Sequence, residues 1–110
     1  MHMNEYQMLA KRTMNINLTK EGTILHALHG MCAEVGEIHS MYQKRFQGHF
    51  PSEEHAKKEV GDLLWFIAEY CTAHGWQMSD IARMNIDKLK ARYPEGFEAE
   101  KSLHRAEGDD

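Results

Sequence analysis

Residues 59–68 read Glu-Val-Gly-Asp-Leu-Leu-Trp-Phe-Ile-Ala, and this stretch decides the fold. It is apolar on nearly every side at helical spacing, which predicts a buried helix. Two acids interrupt it, Glu59 and Asp62, which are three residues apart and therefore lie on one face. Acids in apolar surroundings are costly unless they are paired or bind a metal. The stretch therefore predicts a core helix with a functional site on it.

A matching signature, Glu34-Val35-Gly36-Glu37, occurs 25 positions earlier. Two antiparallel helices packed through similar faces could bring the four carboxylates of both signatures together. Like charges in contact at a protein surface repel by about 4 kcal/mol, so such a cluster favours a bound cation. The alternative is two solvated helix faces, which is the usual meaning of a single Glu-x-x-Glu. Gly36 and Gly61, at matched places beside the acids, suggest close approach of a helix or ligand.

Composition indicates one all-helical domain. The 110 residues suffice for a single domain, 1–110, with a core at about 5–97 and a tail at 98–110 that we expect to be partly mobile. The net charge is −4 and the basic residues are dispersed, which argues against a nucleic-acid polymer as partner. No apolar run is long enough to span a membrane. Cys32 and Cys71 fall in predicted helices and no signal-peptide pattern begins the chain, so we expect reduced, buried thiols in a cytoplasmic protein.

Few segments are typical of strands, and the helix caps and breakers predict a four-helix bundle with a short first helix and a C-terminal tail. Asn4, Ser52 and Ser79 are the expected N-caps, and Gly48 and Gly75 the expected stops. The predicted helices cover about 5–13, 23–46, 53–74 and 79–92, with a loop at 15–22.

The acids favour magnesium over a redox metal. Di-iron and di-manganese bundles use Glu-x-x-His pairs, and no glutamate here has a histidine three residues later. Carboxylates alone favour Mg²⁺, with Mn²⁺ as a substitute, and Mg²⁺ in proteins usually binds substrate phosphates as well. The predicted Mg²⁺ site therefore indicates a substrate that carries phosphates.

Other residues could contact such a substrate. Asn85, Lys88 and Arg92 form a polar and cationic line on the fourth helix, which would suit phosphate oxygens or could be an ordinary solvated face. Trp65 and Phe66 are typical core residues, but their nearness to Asp62 leaves a nucleobase-binding role open.

The chain resembles the MazG-like nucleotide pyrophosphohydrolases over about residues 22–105. The motifs that carry the resemblance are Glu34-x-x-Glu37, Glu59-x-x-Asp62 with the residues that follow it to Phe66, Asn85-x-x-Lys88-Leu89, and Arg92-Tyr93-Pro94-x-Gly96-Phe97. The resemblance implies the all-α NTP pyrophosphatase fold, assembly into homodimers or homotetramers, and Mg²⁺-dependent conversion of nucleoside triphosphates to monophosphate and pyrophosphate. It also implies that Glu34, Glu37, Glu59 and Asp62 hold the metal, with Asn85 and Lys88 near the phosphates.

Our hypothesis is therefore a nucleoside triphosphate pyrophosphohydrolase that clears the nucleotide pool, in which one of the glutamates is the general base. The sequence does not select the glutamate or the base and sugar of the substrate. A non-catalytic helical oligomer that binds nucleotide or a partner protein is the alternative.

Overall fold

The computed structural model of the chain describes residues 1–103. Its main helices are α1 (Met3–Lys11), α2 (Lys20–Gln43), α3 (Glu53–His74) and α4 (Met78–Arg92), followed by a short α5 (Ala99–Leu103). The described residues contain no strand apart from an isolated bridge between Pro94 and Gly96. No helix among them is long and apolar enough to cross a membrane. The all-α fold with four main helices predicted from the sequence is confirmed.

α2 and α3 pack against each other as an antiparallel hairpin, and this is the most extensive helix contact in the described chain. Its register is fixed at three levels: His26 faces Glu69, Gly30 faces Phe66, and Glu34 lies close to Asp62. A Cβ atom at position 30 would overlap the Phe66 ring, at 2.2 Å from its nearest carbons. The glycine therefore lets the ring lie directly across α2.

The ends of the hairpin helices follow from local chemistry. Thr19 Oγ1 accepts a hydrogen bond from Gly22 N at 3.0 Å, so α2 begins at Lys20, and the predicted loop at 15–22 is too long. Ser52 caps α3 as predicted, by accepting from His55 N at 3.1 Å. Gly48 and Gly75 have φ of 88° and 74°, which is the left-handed conformation that suits glycine after a helix. A 3-10 turn, Lys44–Gln47, joins α2 to Gly48.

Two predicted caps are wrong, because α1 supplies the capping groups of α4. Asn4 does not cap α1; its Oδ1 accepts from Ser79 N at 3.2 Å. Gln7 Oε1 accepts from Met78 N at 2.8 Å, so α4 begins at Met78 and Ser79 lies inside it. These contacts across the chain satisfy N–H groups that a local side chain was expected to satisfy.

The core lies where α1, α3 and the start of α4 meet. Its buried members are Ala10, Ala68, Cys71 and Met78, with Tyr6, Trp65 and Ile67 packed around them. The prediction that all of the stretch at 59–68 is buried is wrong for Val60, which is 56% exposed, and for Leu64, which is 38% exposed. α1 and Thr13, just after it, hydrogen-bond to Thr72 and Trp65 in the second half of α3, whereas the first half packs against α2, which brings Glu34 to Glu59.

The two cysteines differ. Cys71 is buried as predicted, and burial raises the pKa of its thiol. Cys32 is exposed, so the prediction of a buried thiol there is wrong; it lies on the side of α2 that faces away from α3. α5 falls within the predicted tail, whose residues 104–110 lie outside the described part of the chain, so the expected mobility there stays a prediction.

Candidate metal centre

Three carboxylates meet between α2 and α3. One oxygen each from Glu34, Glu59 and Asp62 lies within 4.8 Å of the others. Glu34 comes from α2, and the other two come from α3, where a spacing of three residues places them on one face. We call these three residues the acid cluster. The prediction that the two signatures face each other is therefore realised for three of the four acids.

Glu34 is the most crowded member of the acid cluster. Its Oε2 atom is buried and has no hydrogen-bond partner among the described residues. Its pKa is raised from 4.5 to about 7, first by a carboxyl hydrogen bond with Glu59, then by burial, and then by the charges of Glu59, Asp62 and Glu37. A shared proton relieves this crowding, and a bound cation would relieve it as well.

Glu59 is held between the cluster and a histidine. Its side chain is only 15% exposed, and His55 Nε2 lies 3.7 Å from its Oε1. Glu37 is exposed and does not belong to the three-oxygen group, although its charge raises the pKa of Glu34. Its expected role as a fourth ligand stays a prediction.

A family model, the MazG nucleotide pyrophosphohydrolase domain, matches residues 22–97, which is more than half of the chain. The chain belongs to this family. The matched region contains both acidic signatures, and it also contains Asn85, Lys88 and Arg92 of α4. No curated protein and no solved structure matches this MazG domain.

The acid cluster of the MazG domain fits a hard divalent cation. Ligand oxygens of one octahedral Mg²⁺ lie about 3–4.2 Å apart, so the three oxygens, which are within 4.8 Å of one another, would move closer together by side-chain rotation to share an ion. The unpartnered buried oxygen of Glu34 is an available ligand atom. The donor set contains only carboxylates, which suits Mg²⁺ or Mn²⁺ better than a softer metal.

The two aromatic residues beside Asp62 have different surroundings. Trp65 Nε1 donates to Thr13 Oγ1 at 2.8 Å, and the indole packs on the core, so it helps to hold α1 on α3. Phe66 lies across Gly30, with its ring centroid 5.8 Å from that of His26. Of these two candidates for nucleobase binding, Phe66 contacts α2 and Trp65 contacts Thr13, just after α1.

Close approach occurs at a glycine that the sequence analysis did not select. A Cβ atom at Gly36 or Gly61 would meet nothing within 4 Å in the described chain, so the approach expected there is not made by its own helices. Gly30 is the tight position. Nothing in its sequence surroundings separates it from the other helical glycines.

Tyr6 is a residue near the site that the sequence analysis did not select. The pKa of its hydroxyl is raised, first by burial and then by the charge of Asp62. α1 therefore carries a phenol to within electrostatic reach of the acid cluster. The sequence offers no signal for this, because it depends on how α1 docks on α3.

α4 stands apart from the acid cluster within one chain. It packs against α1. Asn85 and Lys88 are exposed and make no hydrogen bond or ion pair with the rest of the described chain. Arg92 is partly buried, with its guanidinium 5.9 Å from the Tyr93 ring centroid. The phosphate contacts expected of these residues stay predictions.

Proposed function

We propose that this MazG domain hydrolyses the bond between the α- and β-phosphates of a nucleoside triphosphate, and releases a nucleoside monophosphate and pyrophosphate. The observation that carries the proposal is the acid cluster, in which a buried carboxylate oxygen has no partner. Membership of the nucleotide pyrophosphohydrolase family gives the cluster a substrate class. The expected role is removal of nucleotides from the cellular pool.

Glu34, Glu59 and Asp62 would hold Mg²⁺, or Mn²⁺ in its place, with Glu37, one helical turn after Glu34, as the fourth ligand. Bound there, the ion would supply positive charge to the phosphate oxygens and lower the pKa of a coordinated water. Phosphates bring the ion further oxygen ligands, which is the usual way that Mg²⁺ binds in proteins.

The chain itself must bind the phosphates and accept a proton. In the reaction, the oxygen of a water bonds to phosphorus, the bridging P–O bond breaks, and a glutamate takes the proton of the water. Glu34, Glu37 and Glu59 are the candidates for this base.

Arg45, in the 3-10 turn after α2, is a cation that the sequence analysis did not select. It lines a groove of about 430 Å³ together with Tyr42, Ser52 and Val60, the neighbour of Glu59. Its guanidinium lies 4.5 Å from the centroid of the Tyr42 ring. We assign the phosphates to this side of the cluster, because a guanidinium pairs well with phosphate oxygens. Asn85 and Lys88 would reach the same phosphates from a second copy of the chain.

Product analysis tests the proposal. Purified protein, Mg²⁺ and a panel of ribo- and deoxyribonucleoside triphosphates should give monophosphate and pyrophosphate in equal amounts, as measured by ³¹P NMR. Release of orthophosphate would place the cleavage at the wrong bond. If no nucleotide in the panel is hydrolysed, the result would support the alternative, a helical oligomer that binds nucleotide or protein without hydrolysis.

A further inference from the structure

A buried carboxylate lies about two helical turns from the acid cluster, and the proposed hydrolysis makes no use of it. Glu69, on α3, has a relative exposure of 1%. His26 Nδ1, on α2, lies 2.8 and 3.0 Å from its two oxygens. A carboxylate accepts hydrogen bonds, so in this contact we assign the donor to Nδ1 and the acceptor to Glu69. A buried carboxylate is costly without such a donor, so the contact with His26 is favoured. It holds the imidazole ring in one orientation.

The second ring nitrogen of His26 remains available to a ligand. The side chain is 50% exposed, and no hydrogen bond within the described chain uses Nε2. A carboxylate that accepts from one ring nitrogen fixes the tautomer of the imidazole, and it also fixes the direction in which the other ring nitrogen points. The pair thus presents one oriented polar atom at the surface of the hairpin.

The pair lies in line with the acid cluster along the hairpin. His26 precedes Glu34 by eight residues on α2, and Glu69 follows Asp62 by seven on α3, so the separation is about 10–12 Å at 1.5 Å per residue. Phe66 lies between the two sites, across Gly30 and tilted against the His26 ring. The acid cluster, the Phe66 ring and the His26–Glu69 pair therefore follow one another along the hairpin, over a distance that a nucleoside can span.

The charge of the pair indicates which part of a nucleotide it would contact. Glu69 cancels the charge of a protonated His26 and leaves a net negative charge beside a neutral one, so an anionic phosphate gains little there. A neutral heterocycle can pack against Phe66 while its polar edge hydrogen-bonds to Nε2. Arg45, which lies beyond the cluster in the opposite direction along the hairpin, offers phosphates a positive charge that the pair does not.

We propose that His26, positioned by the buried Glu69, recognises the polar edge of the nucleobase, so that the pair sets the base preference of the enzyme. This inference rests on the proposed function, since the acid cluster must hold the phosphates. His26 contacts the base, and Glu69 is a positioning residue that acts through His26.

The test is the double variant His26→Leu/Glu69→Met. A buried ion pair can usually be replaced by apolar residues of similar volume without loss of stability, so a pair that is only structural would be replaced without effect on activity. We expect an unchanged or higher melting temperature, a kcat near that of the wild type, and a KM for the preferred nucleotide that is about tenfold higher, the effect of one lost hydrogen bond. The ratio of kcat/KM between the best and the worst base should fall by a similar factor. His29→Leu is the matched control, because His29 is exposed and makes no hydrogen bond, ion pair or ring contact in the described chain.

Wild-type KM and base preference in the double variant would overturn the inference. A second measurement separates it from the proposed function: the His26 ring signals, assigned by their absence in the variant, are followed by NMR as metal-free protein is titrated with nucleosides that lack phosphates. Shifts of these signals support base recognition even if no triphosphate is hydrolysed, in which case only the proposed function fails. If no triphosphate is hydrolysed and the signals do not move, both fail.

Discussion

The Glu34 carboxyl is crowded because α2 and α3 approach each other closely one turn before it. One turn away, Gly30 lets Phe66 lie directly on α2, and α3 thereby carries Glu59 and Asp62 up to Glu34. The cost of this crowding appears as the raised pKa of Glu34, about 7. The same closely spaced carboxylates would bind a cation tightly, because the cation would remove their mutual repulsion.

The raised pKa makes the metal-free protein sensitive to pH. Because the folded state holds the Glu34 proton more tightly than the unfolded chain, folding is favoured at low pH, and this contribution is lost as the pH rises from 4.5 to about 7. In EDTA, the free energy of unfolding of the wild type, measured by denaturant titration, should therefore fall relative to that of Glu34→Gln between about pH 5 and about pH 8. Parallel pH profiles for the two proteins would contradict the crowding of Glu34.

Single residues were predictable only where a pattern repeats. The acids appear in two copies of one signature, and this was enough to place Glu34, Glu59 and Asp62 together. Glu69 and His26 belong to no repeated pattern and lie 43 positions apart in the sequence, so no local signal indicates their contact. Their pairing depends on the register of the hairpin, which the sequence alone leaves undetermined.

Helix ends were predictable where the capping group is local. Ser52 and Gly75 act on their own helix, so their roles follow from their position. Asn4 and Gln7 act on α4 from α1, a contact that no pattern within either helix indicates. The same limit applies to α4 as a whole, because its polar line is visible in the sequence but the surface that it faces is not.

The line on α4 can be tested by comparing two lysines. If Lys88 contacts the phosphates, its loss removes a charge-assisted contact of about 1.5–3 kcal/mol, so Lys88→Ala should lower kcat/KM by about 10- to 100-fold. The melting temperature should change little, because Lys88 is exposed and unpaired in the described chain. Lys90→Ala is the control, since two residues along a helix turn the side chain by about 200°. Equal losses of kcat/KM from both substitutions would mean that the polar line on α4 is an ordinary solvated helix face.

The molecule as a whole is more open than a chain of its length that buries its own core. Its radius of gyration is 17.4 Å, against about 13 Å for a compact domain of this size. On the outer side of α2, exposed residues follow one another at alternating spacings of three and four, which is the spacing of a coiled-coil seam. These residues, the outer seam, are Leu25, Leu28, Cys32, Val35, His39 and Tyr42.

We expect the outer seam to be covered by a second copy of the chain. Light scattering at micromolar concentration should give at least twice the 12.8 kDa chain mass. The double variant Leu28→Glu/Val35→Glu should shift the protein toward monomer, because like charges would face each other across the contact. Ile16→Glu, at an exposed apolar residue outside the seam, should leave the assembly unchanged. A monomeric wild type would remove both the dimer and the proposed action of Asn85 and Lys88 across it.

The fold class was readable from the sequence because helical periodicity, caps and breakers are local signals. Burial was not: Val60 and Cys32 belong to apolar patterns, yet both are exposed in the single chain. A sequence reports how apolar a face is, but it does not report whether the chain itself or another copy covers it.

The central claim is that the acid cluster is the metal centre at which a triphosphate is hydrolysed, and the most direct measurement is pyrophosphate release against Mg²⁺ concentration for the wild type and Glu59→Gln in parallel. The wild type should be inactive in EDTA and activated to saturation by Mg²⁺. Glu59→Gln should lose Mg²⁺-dependent activity by about 100-fold or more while it remains folded, with equal or higher stability without metal, because one repelling charge has gone. Activity that persists in EDTA, or that is unchanged in folded Glu59→Gln, would contradict the account.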